Sequence, residues 1–173
     1  MSSPPKNSKG SNQKSAQQAQ NSAPKSSPGP CIPCGCPKRS VKSIMMKRKH
    51  MDLFGEDQYG HWWMEIDGKE SYGWWPKGPV GIKETFGGTD GELNGQSNFG
   101  GSATQDPHHG DPADEQFNPM TSDGDCRTDA EINNCLRSFA KSYSGEWRWT
   151  FGRGQNCHTF QESAMEHCKL KKP

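Results

Sequence analysis

The first thirty residues of the chain contain no aromatic residue and no Ile, Leu or Val. They consist mainly of Ser, Pro, Gln, Asn, Lys and Gly, a composition that buries too little apolar surface to fold. We therefore expect residues 1–30 to form a disordered tail. The whole chain also lacks any apolar run of the roughly 18–20 residues that a membrane-spanning helix requires. Nor does the N-terminus carry the apolar segment of a Sec signal peptide, so export would use another route.

Charge of one sign is not in excess, because the formal net charge is +1 over 173 residues. No overall field therefore attracts nucleic acid, and nucleic acid is not an expected partner. Basic residues do concentrate in the run Lys47-Arg48-Lys49-His50. Such a run is typical of a solvated linker, and contact with phosphate or lipid head groups is the alternative. We assign it to a Cys/Pro-rich and basic linker or docking segment over residues 31–57.

Cysteines are frequent and odd in number, at seven. If one is kept free, the other six can pair after export to an oxidising compartment. Three of them, Cys31, Cys34 and Cys36, lie within six positions, and two could bind one face of a zinc ion with His50 as a remote ligand. A second Cys-x-x-Cys pair is missing, so the segment also fits a spacer with incidental thiols. We predict no metal and no cofactor.

All six Trp residues lie between Trp62 and Trp149, in the second part of the chain, which we take as a domain over residues 58–173. Gly60 to Ile66 is rich in β-favouring aromatics, Asp67-Gly68 is a strong hairpin turn, and a second strand ends at Pro76. A two-residue turn pairs Ile66 with Lys69. One face of the hairpin would then carry His61, Trp63, Glu65, Glu70, Tyr72 and Trp74.

Residues 77–127 are rich in Gly, Asp, Asn and Pro, and a connection of this length is usually functional or mobile. A short strand is expected around 82–86. The stretch 106–111 offers paired imidazoles and carboxylates for a metal, but an ordinary polar loop is the favoured interpretation.

Regular patterns return after residue 127. Thr128 or Asp129 can cap a helix over 130–141, 146–151 alternates like a strand, and a last helix begins near Asn156 or Cys157. Cys135 and Cys168 are either buried thiols or a disulfide pair. We predict an α+β fold, with a small antiparallel sheet and helices packed on one side.

Cys157 follows a glycine-rich turn and opens the last helix. The partial positive charge and free amides of a helix N-terminus stabilise a thiolate, and the same amides can bind an oxyanion. A histidine held on a neighbouring strand would act as the base, and His61 is the candidate. A cysteine on an amphipathic helix is also a common core residue, which is the competing interpretation.

Three motifs together resemble the circularly permuted papain-like group, which includes permuted NlpC/P60 proteins and lecithin:retinol acyltransferase-like enzymes. They are His61-Trp62 on the first strand, the second strand ending at Pro76, and the run from Asn156 through Cys157 to Phe160. The resemblance covers roughly residues 58–168. It implies a papain-like fold with Cys157 as nucleophile and His61 as general base. Acyltransferase-like members carry a second histidine on the next strand, where this chain has none.

The third catalytic residue is therefore assigned to Glu70, because its side chain is expected on the same face of the hairpin as His61. Glu65 is the second choice. The residues expected to contact the substrate are Trp63, Tyr72, Trp74, Asn156 and His158. For Asn156, capping of the helix is a sufficient alternative role. For His158, the turn of the helix points instead to the edge of the cleft or the surface.

The resemblance implies attack on amide or ester bonds, in a peptidoglycan peptide, a phospholipid or a host protein. A small hydrolase behind a leader without a signal peptide also resembles antibacterial effector toxins delivered by contractile injection, including type VI secretion. Such a protein would be cytoplasmic in the producer and then secreted or delivered into a target cell. Its tail would bind the secretion apparatus, and an immunity protein would protect the producer. The alternative is a non-enzymatic, Trp-rich binding module for glycan or peptide with an N-terminal metal-clipped docking segment.

Overall fold

The fold is α+β and is built on an antiparallel sheet. A computed structural model describes residues 35–50, 60–149 and 154–173, and within these the sheet has six strands in the order β5-β1-β2-β3-β4-β6. The elements in chain order are β1 Ile44–His50, β2 Gly60–Ile66, β3 Glu70–Pro76, α1 Ile82–Gly87, β4 Thr89–Leu93, β5 Glu115–Phe117, α2 Asp129–Ser142, β6 Glu146–Trp147 and α3 Cys157–His167.

Helices α2 and α3 pack on one face of the sheet, which confirms the predicted fold class. Strands β1, β2 and β3 present alternate apolar residues to this face, and the two helices supply the other half of the core. The core residues of the central strands and the helices are Ile44, Met46, Met64, Ile66, Tyr72, Trp74, Ile132, Leu136, Ala140, Phe160, Ala164 and Met165. The predicted tail over 1–30 lies outside the described residues.

The basic run is a central strand, so its interpretation as a solvated linker is wrong. Strand β1 pairs with β2 over its full length, from Ile44 opposite Ile66 to His50 opposite Gly60. Lys47 is buried because its ammonium forms an ion pair with Glu65 at 3.0 Å. The Arg48 guanidinium lies 4.8 Å from the centre of the Trp62 ring. Long basic side chains can occupy a central strand when their charged ends find such partners.

The hairpin between β2 and β3 has the predicted turn but a different register. Asp67 and Gly68 both adopt positive φ, at 53° and 62°, and the Lys69 amide donates to the Ile66 carbonyl. The ladder nevertheless pairs Ile66 with Glu70. A shift of one residue turns every side chain of β3 to the other face. The predicted common face is therefore wrong for Glu70, Tyr72 and Trp74, and the residues beside His61 are Ser71, Gly73 and Trp75.

The second face of the sheet is covered by the segment 94–111 of the long connection. The Ser71 amide donates to the Thr104 carbonyl, and the Asn94 side chain accepts from the Gly73 amide. This segment explains why aromatic residues occur on both strand faces. The expected strand at 82–86 is wrong, because Ile82 to Gly87 forms the short helix α1.

Within the part of the chain that the structure describes, two disulfides join residues that are far apart in sequence. Cys135 pairs with Cys168, which joins α2 to the residue that follows α3, and Cys36 pairs with Cys126. Among the described cysteines only Cys157 is free. No helix in the described ranges is long and apolar enough to cross a membrane.

Candidate active site

Helix α3 begins at Cys157 because Asn156 caps it. The Asn156 side chain accepts hydrogen bonds from the amides of His158 and Thr159, at 3.0 and 3.2 Å. The Asn156 amide in turn donates to the Thr159 hydroxyl at 2.8 Å, which completes a reciprocal cap. Within the described residues, no acceptor binds the Cys157 amide itself. That N–H is therefore available to an oxyanion beside the thiol.

The Cys157 thiol lies at the start of strand β2. It is partly exposed and donates to the Gly60 carbonyl at 3.6 Å. The neighbouring residue on the strand is His61, and Cys157 also interacts electrostatically with the His61 imidazole. The structure therefore brings together the predicted nucleophile and base, which are 96 positions apart in the chain.

Asp106 is the carboxylate that holds His61. The His61 Nε2–H donates to Asp106 Oδ2 at 2.9 Å, and the indole N–H of Trp75 donates to the same oxygen at 2.7 Å. The His108 amide binds the other carboxylate oxygen, and the Ser71 hydroxyl accepts from the Asp106 amide. With Nε2 engaged by Asp106, Nδ1 is the nitrogen left for the thiol.

The His61–Asp106 pair is almost completely buried. His61 is 3% exposed and Asp106 is 2% exposed. Burial alone would lower the pKa of His61, but the charge and hydrogen bond of Asp106, together with Cys157, raise it to about 9. Burial opposes the charge on Asp106 in the same way, yet His61, Trp75 and the His108 amide lower its pKa. The imidazolium and the carboxylate are thus both favoured at neutral pH.

Glu70 and Glu65 do not orient His61, so their predicted role is wrong. Glu70 accepts from Tyr72 at 2.8 Å and from the Arg137 guanidinium at 2.7 Å, because the register turns it to the opposite face. Glu65 remains on the His61 face but is engaged elsewhere. Its Oε1 accepts from Lys47, from the Trp63 indole and from the Gly110 amide.

Glu65 instead anchors the segment that carries Asp106. Its bond to Gly110 and the bond from Lys47 to the Asp111 carbonyl, at 2.9 and 3.0 Å, fasten residues 110 and 111 to strands β1 and β2. Burial alone would raise the pKa of Glu65, but the bonds from Trp63, Gly110 and Lys47 lower it.

The five residues predicted to contact the substrate differ in burial and in the contacts that they make. Trp63, Tyr72 and Trp74 are at most 2% exposed, so they belong to the interior and cannot line a groove. Asn156 is also buried and acts as the helix cap. His158 is half-buried beside the nucleophile, with its ring 4.4 Å from that of Trp62 and its Nε2 3.0 Å from Glu162 Oε1. Of the five, His158 alone is placed to meet a bound molecule.

Three residues of the site were not predicted in their roles: Asp106, Trp75 and Gly73. Asp106 lies in a segment without periodicity, and its distance of 45 positions from His61 gives no sign of contact. Gly73 was the available signal, since a glycine inside a strand often marks a close approach. A Cβ at this position would lie 2.2 Å from Asp106 Oδ2 and 2.9 Å from His61 Nε2.

The zinc alternative is wrong for Cys36, because a disulfide sulfur is not a thiolate ligand. Its partners in that hypothesis, Cys31 and Cys34, lie outside the described residues. His50 Nε2 lies 3.3 Å from Glu115 Oε1. In the ranges that the structure describes, no group of three or more His, Cys, Asp or Glu side chains has the arrangement of a metal site.

Comparison of the chain with protein-family models, with curated proteins and with solved structures finds no match.

Proposed function

We propose that this protein is a cysteine-dependent hydrolase or acyltransferase that acts on amide or ester bonds. The observation that carries the proposal is the buried His61–Asp106 pair with the free thiol of Cys157 beside it. A cysteine at a helix N-terminus, a histidine and an orienting acid are the parts that covalent acyl transfer needs. The order of these parts along the chain is the reason for proposing a circularly permuted papain-like enzyme.

The proposed reaction begins with a Cys157 thiolate and a protonated His61. The sulfur attacks the carbonyl carbon of the substrate, and the Cys157 amide binds the oxyanion of the tetrahedral intermediate. When the intermediate collapses, the bond to the amine or alcohol breaks and His61 gives its proton to that leaving group. An acyl thioester on Cys157 remains.

Neutral His61 then takes a proton from water, or from an acceptor hydroxyl or amine, as that oxygen or nitrogen attacks the thioester. Collapse of the second intermediate releases the carboxylic acid or the transferred acyl product and restores the thiolate. Asp106 keeps the imidazole in one orientation through both steps and stabilises its positive charge, without itself taking the proton.

The proposed substrates are a peptidoglycan peptide or a phospholipid, and the proposed setting is an antibacterial effector delivered by a contractile injection system. The disulfides support a destination outside the reducing cytosol, where such bonds persist. In this proposal the N-terminal tail binds a component of the secretion apparatus, and an immunity protein protects the producer.

The competing binding-module hypothesis keeps only the partly exposed Trp62 and Trp75 of strands β2 and β3. It required Trp-rich strands to form a groove for glycan or peptide, and Trp63 and Trp74 are buried. A structural role for Cys157 would also leave the buried charge pair of His61 and Asp106 without a purpose. Buried ionisable groups with strongly shifted pKa values are more typical of functional sites.

The test is product formation by the full-length, oxidised chain from purified peptidoglycan and from phospholipid vesicles, followed by mass spectrometry. Wild type should release peptides from the first or fatty acid from the second. Cys157→Ala should release none, and His61→Ala less than about 1% of the wild-type amount. His167→Ala, at the exposed end of α3, is the matched control and should retain full activity. Product formation by Cys157→Ala would refute the proposed nucleophile.

A further inference from the structure

Helix α3, which the structure describes throughout, buries one polar side chain among three apolar ones. The four buried residues are Phe160, Gln161, Ala164 and Met165, and Gln161 is 1% exposed. Burial of a primary amide costs free energy that an apolar side chain of similar size would not cost. Within the described residues Gln161 Oε1 has no hydrogen-bond donor, which adds to that cost. The amide therefore points to a role other than stability.

The other end of the Gln161 amide joins α3 to two strands of the sheet. Gln161 Nε2 donates to the Trp63 carbonyl at 2.7 Å and to the Lys47 carbonyl at 3.3 Å. Trp63 and Lys47 are paired across strands β2 and β1. Because both contacts are carbonyl oxygens, the atom that meets them is the amide nitrogen, which has two N–H groups to donate. One side chain thus binds the backbone of both strands.

The two strand residues that Gln161 binds belong to the side of the site that carries the base. Trp63 lies two positions after His61 on strand β2, and its indole donates to Glu65. The Lys47 ammonium binds the same carboxylate. Their side chains therefore lie on the face of His61, whereas Gln161 reaches their carbonyls from the face that α3 covers.

Gln161 lies one helical turn after Cys157 on the same face of α3, since residues four apart are neighbours on a helix. The Cys157 thiol meets the same strand, at the Gly60 carbonyl. Apolar contacts have no direction, so the apolar residues of α3 leave the helix free to shift by a small distance along the sheet. Two directed hydrogen bonds do not. An error of about 1 Å in the position of a reacting group can cost about 10²-fold in rate.

We propose that Gln161 is a positioning residue, which fixes the Cys157 sulfur against His61 by binding α3 to the backbone of strands β1 and β2. This inference rests on the proposed function and adds to it a residue that touches neither the substrate nor the reacting atoms. Gln161 then contributes to the rate of the reaction through the geometry of the thiol and the imidazole, and it contributes little to the stability of the fold.

The test compares three variants of the full-length, oxidised chain with wild type. Gln161→Leu removes both hydrogen bonds and replaces the amide by an apolar group of similar size. Gln161→Glu keeps the shape, but its carboxyl can donate a hydrogen bond only when it is protonated. Met165→Leu, at another buried residue of α3, is the matched control for a change of packing. The measurements are the rate of Cys157 alkylation by iodoacetamide at pH 6, kcat and KM on a soluble p-nitrophenyl ester, and urea unfolding.

Gln161→Leu should unfold at a urea concentration close to that of wild type, because the loss of two hydrogen bonds is offset by removal of a buried, partly unsatisfied amide. It should nevertheless lose about 10²-fold in the alkylation rate of Cys157 and in kcat, with KM unchanged within about twofold. Met165→Leu should keep the wild-type values of both rates. Wild-type rates in Gln161→Leu would overturn the inference and leave the proposed function intact.

Gln161→Glu tests the hydrogen bonds even where Gln161→Leu does not fold. Burial and two carbonyl oxygens favour the neutral form of the introduced carboxyl, so its pKa should lie above the ordinary value. The ratio of the variant's kcat to that of wild type should therefore be highest at low pH and should fall as the carboxyl ionises at higher pH. A ratio that stays constant from pH 5 to pH 8 would overturn the positioning role.

Failure of the proposed function gives a different result from failure of this inference. If Cys157 and His61 do not react as a pair, wild type is alkylated at Cys157 no faster than His61→Ala, and Gln161→Leu leaves that slow rate unchanged. This result would overturn both the function and the positioning role. Fast alkylation of Cys157 in wild type and in Gln161→Leu alike would contradict the positioning role alone.

Discussion

Single residues decide the protonation of the site, and Asp106 is the most important of them. Its carboxylate accepts hydrogen bonds from the Trp75 indole and from the His108 amide. It also accepts the hydrogen bond from His61 that keeps the imidazolium charged despite burial. His61 was identified from its strand and its neighbours in sequence. Asp106 was not, because its position follows from a loop path that no periodic pattern describes.

Replacement of Asp106 by Asn should therefore change both the base and the rate. Without the carboxylate, the charge and hydrogen bond that raise the pKa of His61 most are lost, and burial should bring this pKa well below about 9. We expect kcat to fall by about 10²- to 10⁴-fold. NMR titration of the His61 ring and steady-state rates measure the two effects. An unchanged His61 titration would show that Asp106 does not hold the charge.

Gly73 is the second residue on which the site depends. Gly73→Ala places a methyl group 2.2 Å from Asp106 Oδ2, so the carboxylate must leave the His61 ring. We expect a loss of activity of at least about 10²-fold, comparable to removal of the acid itself. Gly78→Ala is the matched control, since nothing lies within 4 Å of its Cβ, and it should retain wild-type activity. Wild-type activity in Gly73→Ala would contradict the position of Asp106.

Elements rather than residues position the loop that brings Asp106 to His61. Strand β1 supplies Lys47 and strand β2 supplies Glu65, and together they bind the loop at Gly110 and Asp111. The sequence allowed the two strands of the hairpin and helices α2 and α3 to be predicted. It misled on β1, because four consecutive basic residues resemble a solvated surface until their partners are known. It also misled on register, because the turn residues alone do not show that Lys69 stays outside the ladder.

Glu65→Gln should therefore destabilise the protein by about 3 kcal/mol, since it leaves the buried ammonium of Lys47 without a counter-charge. Glu115→Gln is the matched control, because Glu115 is 55% exposed in its pair with Arg48 and should cost under about 1 kcal/mol. Urea unfolding measures both. The pKa of Glu65 is lowered in the fold, so the wild-type advantage is present above pH 4.5 and disappears as the pH falls below that value. Equal stability of the two variants at pH 7 would contradict the buried pair.

At the scale of the whole molecule, the fold class could be predicted from the sequence. The disulfide pairs could be predicted only in part. The alternation of the hairpin and the amphipathic helices already indicated an α+β domain with helices on one side. Cys135 and Cys168 were recognised as one possible pair, whereas the spacing of Cys36 and Cys126 gives no signal over 90 positions. Pairing over such distances depends on the complete fold.

Removal of the disulfide between α2 and the end of α3 should cost about 4 kcal/mol, because a loop of 33 residues is then free in the unfolded chain. This is a large share of the roughly 5–15 kcal/mol that stabilises an ordinary domain. Urea unfolding of Cys135→Ser/Cys168→Ser against wild type measures the difference. Reduction of wild type with dithiothreitol should cost more than this, because it also breaks the bond between Cys36 and Cys126. A variant as stable as wild type would show that the bond does not constrain the chain.

The central claim is that Cys157 and His61 form a thiolate–imidazolium pair, and the rate of Cys157 alkylation by iodoacetamide at pH 6 tests it most directly. Only a thiolate reacts at an appreciable rate, and an ordinary thiol with a pKa near 8.5 is almost fully protonated at this pH. With mass mapping of the labelled site, wild type should react at Cys157 at least about 10²-fold faster than His61→Ala, and His167→Ala should match wild type. Equal, slow alkylation of Cys157 in wild type and His61→Ala would contradict the pair and with it the proposed enzyme.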